Sequence, residues 1–156
     1  MFNLFRFKRR RKDLTAAEKE AVANILSGKD HYGRGICFER AAEEWLKGQG
    51  YETIFRNYRI RGGEIDIIMK KDDILAFVEV KARYDSTAHL QRYGSPSSAV
   101  DAKKRQSIIH AAKDYIRTHP QIGRPRMDVV EVYYQVCGDF MALRFNHIIS
   151  AFTARR

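Results

Sequence analysis

Residues 62–83, GGEIDIIMKKDDILAFVEVKAR, constrain the fold more than any other part of the chain. Two runs rich in β-branched residues flank a Lys-Lys-Asp-Asp turn, a pattern that predicts paired strands. Side chains alternate between the two faces of a strand. Alternation puts Ile65 and Ile67 on one face of the first strand, and Glu64, Asp66 and Ile68 on the other. In the second strand, Phe77, Glu79, Lys81 and Arg83 share a face opposite Val78, Val80 and Ala82. A hairpin then sets Asp66 beside Glu79, with Lys81 just beyond. Two carboxylates on a largely buried face cost several kcal/mol of desolvation and repel each other. Lys81 offsets part of that cost. A divalent cation offsets more, and oxygen donors of this kind suit magnesium or manganese. Magnesium keeps several of its waters, so two carboxylates and a backbone carbonyl suffice. Lys81 could then hold a water for attack on a phosphodiester. Periodicity leaves a second reading open, in which Glu79 and Lys81 are an edge-strand ion pair and Asp66 sits on a half-exposed strand.

The rest of the chain supplies elements around this hairpin. Thr15 and Glu18 form a capping box that predicts a helix over Ala16–Leu26. SGKDHYGRG breaks it. A second helix is predicted over Ile36–Gln49, with Phe38, Ala41, Ala42, Trp45 and Leu46 as its apolar stripe. YETIFRNYRI reads as a strand, joined to the hairpin by a turn at Arg61, Gly62 and Gly63. The loop YDSTAHLQRYGSPSS is long enough to suggest either function or disorder. A helix over Ala99–Thr118 and two strands, RMDVVEVYYQV and MALRFNHI, complete the order. The class is mixed α/β, with a basic arm and an extra helix at residues 1–32 and one domain at residues 33–156.

Charge narrows the partners. Lys and Arg number 29 against 19 Asp and Glu, a net charge of +10. Such a surplus favours nucleic acid first and anionic membrane second. Arg6, Lys8, Arg9, Arg10, Arg11 and Lys12 form one run, read either as a solvated tail or as an arm along phosphate. No apolar run approaches the roughly 20 residues that span a bilayer. The first residues lack the order of a secretory signal. Cys37 and Cys137 form no CxxC pair, which speaks against zinc and a disulfide framework and favours the cytoplasm. Neither a GxSxG elbow nor a GxxxxGK[ST] loop is present, so serine-hydrolase and NTP-driven readings have no support; no small-molecule cofactor is expected.

The spacing Asp66-x(12)-Glu79-Val80-Lys81, behind a helix that carries Glu39, resembles the restriction-endonuclease-like superfamily and its PD-(D/E)xK site. A closer resemblance is to the YraN-like family of small bacterial proteins. It is carried by GICFERAAEEWL, RNYRIRGGEIDIIMKKDDILAFVEVKAR, AVDAKKRQSIIHAAKDYI and RMDVVEV, within about Gly33–Phe152. The resemblance implies an αβββαβ core around a mixed sheet. It implies Asp66 and Glu79 as metal ligands, Lys81 as the residue that positions water, and Glu39 as the carboxylate that completes the site. Ile65 stands where the superfamily often has proline.

Several other residues keep two readings. Glu64 shares the face of Asp66 and could support the site or flank a turn. Lys103, Lys104 and Arg105 could bind phosphate or form a solvated helix start. Asp128 is a strand-end cap or a residue near the cleft. Tyr84, His89, Arg92 and Tyr93 could stack on unpaired bases or belong to an ordinary mobile loop. The expected function is a magnesium- or manganese-dependent nuclease acting on branched or single-stranded DNA, as a monomer or a homodimer. The alternatives are a nucleic-acid-binding protein of the same fold with little or no catalysis, and an interaction protein in which the acidic face is an ion-pair network.

Overall fold

A computed structural model describes residues 5–6, 31–84, 100–120, 123–137 and 140–153. The elements, in chain order, are β1 (Phe5–Arg6), α1 (His31–Lys47), β2 (Glu52–Ile60), β3 (Gly63–Lys71), β4 (Ile74–Tyr84), α2 (Ala102–Thr118), β5 (Arg124–Cys137) and β6 (Phe140–Phe152). The strands form one sheet in the order β1-β6-β5-β4-β3-β2. All neighbours are antiparallel except β4 and β5, whose parallel pairing needs the crossover through α2. From α1 to β5 the order is αβββαβ, in a mixed sheet, as expected.

Turn chemistry sets the meander. Arg61 and Gly62 join β2 to β3, and Gly62 takes a left-handed φ of 81° that glycine adopts without strain. Asp72 and Asp73 join β3 to β4, with Asp72 at φ 52°. Aspartate tolerates that region better than most residues. Asp101 caps α2 by accepting the Lys104 N–H at 2.8 Å, so the helix starts at Ala102 rather than Ala99.

Each helix covers one face. Phe38, Ala42 and Leu46 of α1 pack with Ile67, Met69, Ala76, Val78 and Val130. Ile108, Ala111, Ala112 and Tyr115 of α2 pack with Ile65, Ile68, Phe77 and Val129. Gly63 lets α2 lie close to β3: a Cβ there would stand 2.9 Å from the Ser107 carbonyl oxygen and 3.0 Å from the Ala111 nitrogen.

Two further expectations are corrected. The predicted break at SGKDHYGRG extends too far, because α1 already runs from His31 through Gly33 and Gly35. Two glycines lower helix propensity, yet the apolar stripe that follows them docks on the sheet and the helix extends back from it. The simple alternation of β3 also fails. Ile65 packs on the α2 side and Ile67 on the α1 side, although they are two residues apart. The cause lies across the ladder. Arg56 pairs with Ile67 and Tyr58 with Ile65, and Asn57 between them has a left-handed φ of 51°. The residues flanking Asn57 therefore turn to opposite faces, and their β3 partners follow.

Candidate active site at the fork of β3 and β4

The backbone ladder between β3 and β4 runs from Lys71↔Ile74 to Ile67↔Val78 and ends there. Beyond that point β3 stays with β2, and β4 stays with β5 as far as Tyr84↔Tyr134. Asp66 and Glu79 are the next residues on either side of this fork. Asp66 fills the gap: its Oδ2 accepts the Val80 N–H at 2.8 Å, a role a backbone carbonyl plays elsewhere in a ladder.

Glu79 is 2% exposed. Lys81 Nζ lies 2.8 Å from its Oε1, and Lys104 Nζ 3.3 Å from its Oε2. The second contact is an ion pair without hydrogen-bond alignment, so Oε2 is a buried acceptor with no hydrogen-bond donor among the described residues. Burial, and then the charge on Asp66, push the Glu79 carboxyl up to about 7 against the pull of Lys81 and Lys104. Burial also raises Asp66, and the Val80 N–H and Lys104 only partly oppose it.

In front of this pair an open cleft of about 500 Å³ is lined by Gly35, Ile36, Glu39, Asn57, Arg59, Glu64 and Asp66. Glu39 of α1 thus borders the same cleft as Asp66. Burial raises its carboxyl, with a hydrogen bond from Asn57 in opposition. Glu64 accepts from Lys104 Nζ, which holds its carboxyl below the usual range, and its backbone N–H donates to Ser107 Oγ at 3.2 Å.

The donor set fits a hard divalent cation. Asp66 and Glu79 could hold one, and the orphan Oε2 is the acceptor it would satisfy. Among the described residues, no three His, Cys, Asp or Glu side chains are gathered closely enough to form a ready cage. Glu39 borders the cleft without closing on the pair.

The remaining sequence candidates fall in different places. Lys104 stands inside the site, between Glu64 and Glu79. Arg105 donates from Nε to the Val100 carbonyl at 2.7 Å. Lys103 is exposed on the first turn of α2, and Tyr84 ends β4. Asp128 is fully buried on the opposite, α1-facing side of the sheet. It accepts from Arg126, from His147 Nε2 at 2.9 Å and from the Ser150 N–H at 3.0 Å. Burial alone would raise its carboxyl, but these partners hold it below the usual range. It ties β5 to β6 and does not reach the cleft. Arg9, Arg10, Arg11, the helix expected over Ala16–Leu26, and His89, Arg92 and Tyr93 lie outside the described residues.

Sequence reasoning missed Asn57 and Arg59. Both sit in a run read only as strand, and nothing in its spacing signals the left-handed residue that turns them towards the cleft. Lys104, read as a phosphate contact or part of a solvated helix start, lies against two carboxylates. Among the described residues, no helix is long and apolar enough to cross a membrane.

Known proteins share this core. The family described as "Uncharacterised protein family UPF0102" matches residues 38–132, which include Glu39, Glu64, Asp66, Glu79, Lys81 and Lys104. A UPF0102 protein from Desulfosudis oleivorans is 45% identical over 109 residues, 69% of this chain and 83% of its own length. One from Clostridioides difficile is 39% identical over 120 residues, 76% of this chain and 96% of its own. One from Chromohalobacter salexigens is 38% identical over 128 residues, 82% and 97% of the respective chains. With the expected order of elements and the family's match across the whole fork, the chain belongs to UPF0102, the YraN-like family.

Proposed function

We propose that this protein is a metal-dependent nuclease that hydrolyses phosphodiester bonds in DNA, acting in the cytoplasm on branched or single-stranded substrates. One observation carries the reading: two carboxylates meet at the fork, one of them with a buried and undonated oxygen, and a lysine stands on the same strand face. Asp66 and Glu79 would hold magnesium or manganese, which supplies positive charge to the phosphate oxygens. The chain's own groups do the rest. Lys81 Nζ, 2.8 Å from Glu79, can orient a water towards the phosphorus and donate a hydrogen bond to the developing charge. Lys104 keeps Glu79 and Glu64 compensated. Arg59 and Asn57, on the wall of the cleft, can engage the phosphate and sugar of the strand lying in it.

The test uses labelled single-stranded, duplex and four-way-junction DNA with Mg²⁺, with Mn²⁺ and with chelator. Metal-dependent cleavage should fall by about 100-fold or more in Asp66→Ala and Lys81→Ala, the scale of losing a positioned catalytic group. Cleavage that survives both substitutions rejects the assignment.

A second reading rests on the two lysines. Lys81 and Lys104 already neutralise Glu79 in part, as they would in a nucleic-acid-binding protein of this fold with little or no catalysis. Salt-sensitive binding without turnover under every metal condition would favour it.

A further inference from the structure

The ladder registers set side chains in rows across the α2 side of the sheet. Glu79, Val129 and Ile148 form the first row, Lys81, Glu131 and Asn146 the second, and Arg83, Tyr133 and Arg144 the third. Val129 and Ile148 belong to the apolar core under α2. Beyond them the face turns polar, and at its centre is a carboxylate that the proposed chemistry does not use.

Glu131 is 7% exposed. Arg83 Nε donates to its Oε1 at 2.8 Å, while the Tyr133 hydroxyl and Asn146 Nδ2 donate to its Oε2 at 2.9 and 3.0 Å. Arg144 lies over the ring of Tyr133, 4.1 Å from its centroid. The carboxylate is therefore a bolt. It fixes Arg83 directly and fixes the ring on which Arg144 rests. Arg83 keeps 42% of its side-chain surface exposed. The two arginines stand on the strands either side of Tyr133, their backbones two strand spacings or about 10 Å apart. Burying a carboxylate to immobilise one exposed and one half-buried arginine is costly for stability alone. It suits planar donors that must be ready for an anion, because ordering them in advance lowers the entropy lost on binding.

We propose that Arg83 and Arg144, positioned by Glu131 and Tyr133, form a phosphate clamp for a nucleic-acid strand. The occupant follows from charge and continuity. The row begins four residues along β4 from Glu79, about 13 Å away, on the same face as Lys81, in a chain of net charge +10. A strand in the clamp is thereby aimed at the fork. That last point rests on the nuclease reading; the clamp itself does not.

The test measures binding of labelled oligothymidylate to the full chain in chelator, by fluorescence anisotropy across a salt series. Arg83→Gln combined with Arg144→Gln should weaken binding about tenfold or more. The slope of log K against log salt should shrink by about 1.4, the share of two phosphates on a single strand. Tyr133→Leu, which removes no charge, should also weaken binding. Arg117→Gln with Arg124→Gln removes two exposed arginines elsewhere and serves as the control. Wild-type affinity and slope in the Arg83/Arg144 variant overturn the clamp, and so does an equal loss in the control. Should the glutamine variant melt early, Arg83→Lys with Arg144→Lys keeps the charge and removes the planar groups; unchanged affinity there overturns the clamp too. A chain that binds through these arginines and never cleaves sinks the nuclease reading and leaves the clamp standing. A chain that cleaves, with a double variant that binds as wild type, sinks the clamp alone.

Discussion

Glu79 places a carboxyl in the part of the fold least able to solvate a charge. Its carboxyl, raised from 4.5 to about 7 first by burial and then by Asp66, keeps a proton in the folded protein that the unfolded chain releases more readily. The folded state therefore gains stability from this group below about pH 4.5 and loses it as pH rises through about 7. Glu79→Gln should melt like the wild type under mild acid and at a higher temperature well above pH 7, both in chelator. Thermal unfolding across a pH series checks this. Adding magnesium at alkaline pH should then raise the melting temperature of the wild type and not of the variant. Identical pH profiles for the two proteins would mean that Lys81 and Lys104 compensate the carboxylate fully. The neighbouring residue teaches a different lesson. Asp66 was readable as a partner of Glu79 from the length of the turn between their strands. Its backbone duty, accepting the Val80 N–H where the ladder stops, was not, because a strand pattern does not say where two strands part.

At the scale of elements, Glu43 bolts α1 to the meander. Glu43 is buried, and it accepts from Arg56 Nε and NH2 at 2.7 Å each and from the Thr53 hydroxyl at 2.6 Å. The hydrogen bond from Arg56 is the largest of the effects that bring its carboxyl down to about 2. The depressed group adds stability above about pH 4.5, and that stability disappears as pH falls through about 2. Glu43→Gln should cost about 1–3 kcal/mol at neutral pH, discounted for the exposure of Arg56, and should flatten the acid limb of the unfolding curve. Urea unfolding at neutral and acid pH measures both. This lock was illegible beforehand, since it links residues from a helix and a strand whose relative placement only the packed core fixes. The meander was legible because Arg61-Gly62 and Asp72-Asp73 are local instructions for turning. The start of α1 was misread for the opposite reason. Gly33 and Gly35 are local signals to break, and docking of the stripe from Phe38 to Leu46 overrode them. The rows on the α2 side depend on the parallel register of β4 with β5, separated in sequence by a whole helix. No local spacing encodes that register.

For the whole molecule, the surplus of 10 positive charges sets how binding responds to ionic strength. Arg9, Arg10 and Arg11 should act additively with the folded domain if the arm follows phosphate. Replacing all three with glutamine should lower affinity for DNA and reduce the salt slope by as much as about 2–3, at roughly 0.7–0.9 per phosphate released. An unchanged slope would show that the arm stays clear of the nucleic acid. The outer side of the sheet has a consequence of its own. Among the described residues β2 ends the sheet, and it has nine residues, among them Ile54 and Phe55 in the open. Its register shifts between Thr53 and Phe55, and Asn57 turns its backbone left-handed. An incoming extended segment therefore meets no straight run of peptide groups to copy, and it meets Arg56, Arg59 and Arg61 as well. In a crowded cell the kink that shapes the cleft also guards against stacking into fibres. Two copies that associate have reason to do so through some surface other than a continued sheet.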